Sequence, residues 1–346
     1  MPSGRIDVLV RGQLDARPLP FSFSSLGVFN PSTVTIGGAA GGWIYGANGT
    51  YQPLAATSGV PASAALTPHT GSFTVTTAGT TISNLIISGG IDIKAANVTF
   101  SSCLITGAAS KGTAVVDCRW TGCVNALVTD CEIAATTFAT SLNACMGHDV
   151  TWQRCNIHKG TDGVRSATNN NDGASQASHN ANVNLLGNYI HGLAGWVSDP
   201  SQGGGPSHND PWQPEGGNYN VAIGNNFDGR IDPTLGNGTA TASNWNGGNH
   251  PSAGALNTNS CIQWDVNTTT TITTGCVMNN NWFDYGYIAI NGAFANGSAN
   301  HFDSIQNNQY GHHTTSGVQI NLVGTTVGTL AGNRFADNVG SITVHS

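Results

Sequence analysis

The 346-residue chain is poor in charge: Asp, Glu, Lys and Arg together make up 8% of it, against about a quarter in ordinary soluble proteins. Lysine occurs only at Lys94, Lys111 and Lys159, and glutamate only at Glu132 and Glu215. Without a sizeable basic face the chain cannot hold a phosphate backbone, so nucleic acid is excluded as a partner. Without Glu and Lys the surface of a long helical bundle is excluded too. Disorder normally couples low hydrophobicity to high net charge, whereas the net charge here is −7 over the whole chain. No apolar run approaches the ~18 residues of a membrane span. The opening MPSGRIDVLVRGQLDARPLP has Asp7 inside its short apolar run and no small-residue cleavage site, so no secretory signal is expected.

What the chain does have is 46 glycines and an abundance of Asn, Thr and Ser. That composition favours strands joined by many turns. The eight cysteines cluster, six of them between Cys103 and Cys155. Their spacing lacks the paired knuckles of a zinc site.

A nine-column repeat organises most of the sequence. Its copies are NVTFSSCLI (97–105), NALVTDCEI (125–133), DVTWQRCNI (149–157), NVNLLGNYI (182–190), YNVAIGNNF (219–227), GCVMNNNWF (275–283), FDSIQNNQY (302–310) and VGTLAGNRF (327–335). A weaker copy, TISNLII, precedes them at 81–87. Column four holds Phe100, Val128, Trp152, Leu185, Ala222, Met278, Ile305 and Leu330. Column nine holds Ile105, Ile133, Ile157, Ile190, Phe227, Phe283, Tyr310 and Phe335. Every one of these is apolar. Column seven is Cys103, Cys131 and Cys155, then Asn188, Asn225, Asn281, Asn308 and Asn333. A further strand follows each copy, with Val164, Trp212, Ile262, Ile288, Val318 and Ile342 as its expected inward residues.

Successive column-seven residues lie 28, 24, 33, 37, 56, 27 and 25 positions apart. The short spacings fit one coil of a parallel β-helix, in which like residues stack at about 4.8 Å. Inward Asn at a bend satisfies its neighbours' amides and tolerates a left-handed backbone. Inward Cys at the same bend is expected to be a small buried free thiol.

NVTFSSCLI, DVTWQRCNIHKGTDGVR and NVNLLGNYIHG resemble right-handed parallel β-helix proteins of the pectate-lyase-like superfamily, over about residues 80–346. In appearance the chain is most similar to members described as minor tail proteins of phages that infect actinobacteria. The resemblance implies an all-β, right-handed solenoid of about nine coils, and right-handed winding agrees with the general crossover rule. It also implies a virion location, other tail proteins as partners and, by analogy with tailspikes, a homo-oligomer such as a trimer. An extracellular location is the alternative. Residues 1–75 lack the repeat and are expected to form a small β-rich or extended segment that caps the first coil or anchors the chain to a larger particle; residues 76–346 form the β-helix domain.

Three consecutive coils carry insertions, 166–181, 193–207 and 229–258, expected on one working face. The polar residues they flank are His158, Asp162, Arg165, His191, His208, Asp210 and Gln213. Asp162 and Asp210 occupy equivalent places in adjacent coils, about 5 Å apart at the backbone. Such a pair suits a glycosidase or a lyase, with His208 and Arg165 as further candidate catalytic residues. His158, His191, Gln213 and the loop residue Trp245 would contact substrate, and Trp196, Trp212 and Trp264 are further rings able to stack on sugars. Equally, TDG and NDP are ordinary turn sequences, and the aspartates could cap bends only. Related proteins often carry HxDGIQ where this chain has His208-Asn209-Asp210-Pro211-Trp212-Gln213. No cofactor is required; calcium stays open, since Asp172, Asp199, Asp228 and Asp232 lie in the loop zone without a calcium-loop spacing. Three readings follow: a virion protein contacting host-surface glycans, a polysaccharide hydrolase or lyase, and a purely structural tail subunit.

Overall fold

The structure, a computed structural model, describes residues 44–45, 51–107, 114–136, 142–167, 180–200, 203–232, 234–235, 258–264, 273–292 and 301–346. These residues form a parallel β-helix with three long sheets of ten, nine and ten strands. The chain visits the sheets in rotation. One coil, for example, runs Asn143–Gly147 in the first sheet, Val150–Gln153 in the second and Asn156–His158 in the third. The stack begins with Thr67–Thr70 and Phe73–Val75, so strands of the helix appear before the expected start at residue 76. Among the described residues there is no α-helix, and hence no helix long and apolar enough to cross a membrane.

The repeat columns are the register of the sheets. Phe100, Val128, Trp152 and Leu185 pair in sequence, and the column continues through Ala222, Met278 and Ile305 to Leu330. Column nine pairs likewise from Ile105 to Phe335. The weak copy joins correctly, with Ile82 against Phe100 and Ile87 against Ile105. Both columns face inward into one continuous core, except in the last coil, where Leu330 is 39% exposed and Phe335 only partly buried. Within column nine the rings stack, Phe227 on Phe283 at 5.2 Å and Phe283 on Tyr310 at 5.4 Å between centroids.

The first sheet departs from expectation at its far end. Val164, Trp212 and Ile262 pair as expected, but Ile262 then meets Ile290, Ile290 meets Ile320, and Ile320 meets Val344. The expected Ile288, Val318 and Ile342 each lie two residues early. A two-residue slip keeps every side chain on its face, so the apolar pattern alone cannot distinguish the two registers.

Between the second and third sheets each coil turns on one left-handed residue in column six. These are Ser102, Asp130, Arg154, Gly187, Gly224, Asn280, Asn307 and Gly332, with φ from 50° to 69°. The ladder asparagines of column seven are not themselves left-handed, which corrects the expectation: they follow the turning residue and point inward. Asn225 shows the ladder's logic. Its Oδ1 accepts from the backbone N–H and the Nδ2 of Asn188, both at 2.9 Å, while its own Nδ2 donates to Asn281 Oδ1 at 2.9 Å and to the Leu185 carbonyl at 2.8 Å. The pattern repeats through Asn308 to Asn333. All eight cysteines are free and buried. Those of column seven continue the ladder more weakly; the Cys103 amide donates to Cys131 Sγ at 3.4 Å.

The described part of the N-terminal segment runs along the outside of the third sheet. The Pro53 carbonyl accepts from Asn226 Nδ2 at 2.9 Å, and the Gly59 amide donates to the Arg154 carbonyl at 2.7 Å. Gly59 has φ +88°, and a Cβ there would lie 2.8 Å from Asn156 Cβ, so only glycine fits this crossing.

Candidate functional site

Strand alternation dictates which residues the first sheet shows outward. Val164 and Trp212 point into the core, and their neighbours Arg165 and Gln213, in register with each other, point out. The same outward column holds Asp92 and Asp117 at one end, then Gln263, Asn291 and Asn321 at the other. Carboxamides hydrogen-bond along it: Asn291 Nδ2 donates to Gln263 Oε1 at 3.0 Å, and Asn321 Nδ2 donates to Asn291 Oδ1 at 3.1 Å. Gln263 and Asn291 are buried, whereas Arg165, Gln213 and Asn321 reach solvent. Among the described residues the Gln213 carboxamide has no hydrogen-bond partner, and neither has Asn321 Oδ1.

Every insertion longer than a bend enters or leaves this sheet. The connections before it include 108–113, 195–211 and 233–259; those after it include 167–179, 264–276 and 292–300. Two insertion roots, Leu193–Ala194 and Ile231–Asp232, pair as a small separate sheet. Trp245 and Asp172 lie outside the described residues.

Asp162 and Asp210 do lie one coil apart, at the bend entering the first sheet, and both are buried. Their carboxylates are engaged with backbone. Asp162 Oδ1 accepts from the Asp210 amide at 3.1 Å, and Asp210 Oδ1 accepts from the Ser260 amide at 2.8 Å. This is a second inward ladder. Burial pushes the Asp162 carboxyl up to about 6, with the nearby Arg165 guanidinium pulling it down. The main cause is desolvation, and the hydrogen bond from the Asp210 amide also pulls it down. Arg165 is ion-paired with Glu215. His208 is half-buried at the same edge, two residues before Asp210. Asp162, Asp210, Arg165, His208 and Gln213 therefore share one edge of the first sheet.

His158 and His191 do not join them. They sit in register on the outer side of the third sheet, with rings stacked at 5.1 Å. His158 Nε2 lies 3.1 Å from Glu132 Oε1, a contact that draws the Glu132 carboxyl down. His191 Nε2 lies 2.9 Å from Asn156 Oδ1, and burial, reinforced by His158, lowers its pKa to about 4. The row continues with Asp228 and Asp284, which pair in register. Arg230 Nε donates to Asp228 Oδ1 at 2.9 Å, and its guanidinium lies 4.9 Å from the Tyr285 ring centre. Tyr285 stacks on His313 at 4.4 Å, and His313 Nδ1 is 2.9 Å from Asp284 Oδ2. Sequence reasoning missed Asp284, Tyr285, Arg230 and His313. The signal was present: His158, His191, Asp228 and Asp284 are column ten, one step beyond the columns compared.

Three of the tryptophans able to stack on sugars are turned away from solvent, Trp212 as its inward column implies. Trp196 is 9% exposed, and Trp212 and Trp264 are wholly buried. Trp212 Nε1 donates to Ser166 Oγ at 2.8 Å, and Trp264 packs edge-on against Phe302. Of the carboxylates considered for calcium, Asp228 is held by Arg230, and Asp232 accepts from Thr234. Among the described residues no three His, Cys, Asp or Glu side chains converge as a metal site.

Fold and surface together define a parallel β-helix with its insertions gathered on one sheet. In comparisons with known proteins, no family model, no curated protein and no solved structure matches the chain.

Proposed function

We propose that the chain is a glycan-contacting β-helix, carried as a minor component of a virion tail, and that it binds surface polysaccharide on the outer face of its first sheet near Arg165 and Gln213. The observation that carries the reading is the gathering of all the longer insertions at the two edges of that sheet. Loops on a rigid scaffold are where solenoids place their binding groups. The partly exposed Gln213 between these edges offers a carboxamide unengaged by the described residues, which both donates and accepts, as sugar hydroxyls do. The resemblance to tail proteins supplies the setting and the expected oligomer. The engagement of Asp162 and Asp210 with backbone amides favours binding over cleavage by that pair.

The test is retention of purified protein on immobilised envelope polysaccharide, with reducing ends assayed in the supernatant. Retention without product release supports the proposal. Product release that disappears in Asp162→Asn with Asp210→Asn would favour the hydrolase or lyase reading. Absence of retention on any envelope fraction would leave only the structural-subunit reading. Presence of the chain in purified particles tests the virion assignment separately.

A further inference from the structure

From the charge arrangement on the first sheet we infer that its ligand is a neutral glycan, and that Glu215 is the residue that sets this preference. The inference rests on the glycan-contacting reading above and adds the chemical class of the ligand. Among the described residues, three cations stand on the outward side of the first sheet: Lys94, Arg119 and Arg165. Each is matched by a carboxylate of the same sheet region. Lys94 Nζ is 3.9 Å from Asp92, Arg119 makes a two-pronged contact with Asp117 through Nε at 3.1 Å and Nη2 at 2.8 Å, and Arg165 pairs with Glu215. Lys94 and Arg119 lie on coils remote from the insertions' longest members, so the pair that meets a ligand is Arg165 with Glu215.

Glu215 is one of two glutamates in the chain, and it stands two residues after Gln213 on the same strand exit. Its carboxylate occupies the guanidinium edge that would otherwise grip a carboxylate or sulfate on a sugar. An anionic ligand arriving here meets Glu215 before it can pair with Arg165, and displacing that partner leaves a part-buried carboxylate uncompensated. A neutral ligand needs no displacement; it uses the free amide of Gln213 and leaves the ion pair whole. The pair then acts as a filter against charge rather than as an anion clamp.

The test uses the full chain and a panel of neutral oligosaccharides, each paired with the same oligosaccharide after oxidation of its primary hydroxyls to carboxylates. The wild type should bind at least one neutral member and bind its oxidised form about tenfold more weakly or worse. Glu215→Gln, which removes the Glu215 carboxylate from Arg165, should narrow or invert that ratio by about tenfold. Neutral binding by the wild type should also be insensitive to salt, a measurement that holds even if Glu215→Gln fails to fold. Equal or tighter binding of the oxidised members by the wild type would overturn the inference, as would neutral binding that falls steeply with salt or a ratio unmoved in a folded Glu215→Gln. Failure of the wild type to bind any member, neutral or oxidised, would instead overturn the glycan-contacting reading on which it rests.

Discussion

The three bends of each coil differ sharply. From Ser101 onward, the second and third sheets are joined by the same two residues in every coil: a left-handed one, then a ladder Cys or Asn. The connections on either side of the first sheet range from the pair 89–90 to the stretch 233–259. The constant bend is where the structure has exhausted its hydrogen bonds. Asn225 alone satisfies two donors of the coil before it and one carbonyl, and no side-chain length could be added without breaking register. At the first sheet the coil is closed by core columns only, and length can vary because loop entropy grows slowly with length. The fixed hydrogen bonds and the proposed recognition surface thus lie at different corners of one cross-section.

The largest losses of stability should come from the inside of the coil. Trp152→Ala empties the largest wholly buried position of column four and should cost about 3–5 kcal/mol, read as a lower denaturant midpoint. Asn225→Ala should cost about 2–3 kcal/mol, because the Asn188 amide, Asn188 Nδ2 and the Leu185 carbonyl lose their partners together in a buried place. Inserting two glycines between Gly224 and Asn225 should abolish cooperative unfolding, whereas the same insertion after Asp232 should shift stability by less than about 1 kcal/mol. Equal tolerance at both sites would dissolve the distinction between the bends.

A smaller effect concerns pH. The folded Asp162 carboxyl, at about 6, lies above its ordinary value of 3.8. The native state therefore holds that proton more tightly than the unfolded chain does. This group's contribution to stability is full below pH ~4 and is lost as pH rises through about 6. His191, lowered to about 4 from 6.5, acts oppositely: its contribution is present above pH ~6.5 and lost as pH falls towards 4. Asp162→Asn keeps an acceptor for the Asp210 amide and removes the first dependence. Chemical denaturation between pH 4 and 7 should then show stability rising more steeply with pH than in the wild type. An unchanged slope would contradict the assignment.

Much of the cross-section was legible in the sequence. Columns four and nine could be read because both demand large apolar residues in every coil, and two columns at fixed spacing leave no freedom to slide. The first sheet was legible only as far as Ile262, since a strand's period of two allows Ile288 and Ile290 to serve the same pattern. The ladder's role was visible in Asn188 to Asn333, but the left-handed turn was assigned one position late: Asn is common at both kinds of position. For the candidate site, adjacency of Asp162 and Asp210 followed from the alignment, yet burial and backbone engagement did not, because TDG and NDP read alike in a catalytic edge and in a turn. His158 and His191 were placed in the wrong corner, as a side chain at the end of the third sheet and one at the start of the first are few residues apart in sequence and lie on opposite arms of a bend. Glu215 carried no motif at all; only its contact with Arg165 reveals it.

The proposed function places recognition on the first sheet and not on the aromatic and charged row along the third. The most direct measurement compares the dissociation constants of Gln213→Ala and Tyr285→Ala for the same retained glycan, with both variants verified as folded. Binding on the first sheet should become about tenfold weaker in Gln213→Ala, the worth of one hydrogen bond to a neutral ligand, and stay unchanged in Tyr285→Ala. The converse, intact binding without Gln213 and loss without Tyr285, would place the working surface on the third sheet and contradict it.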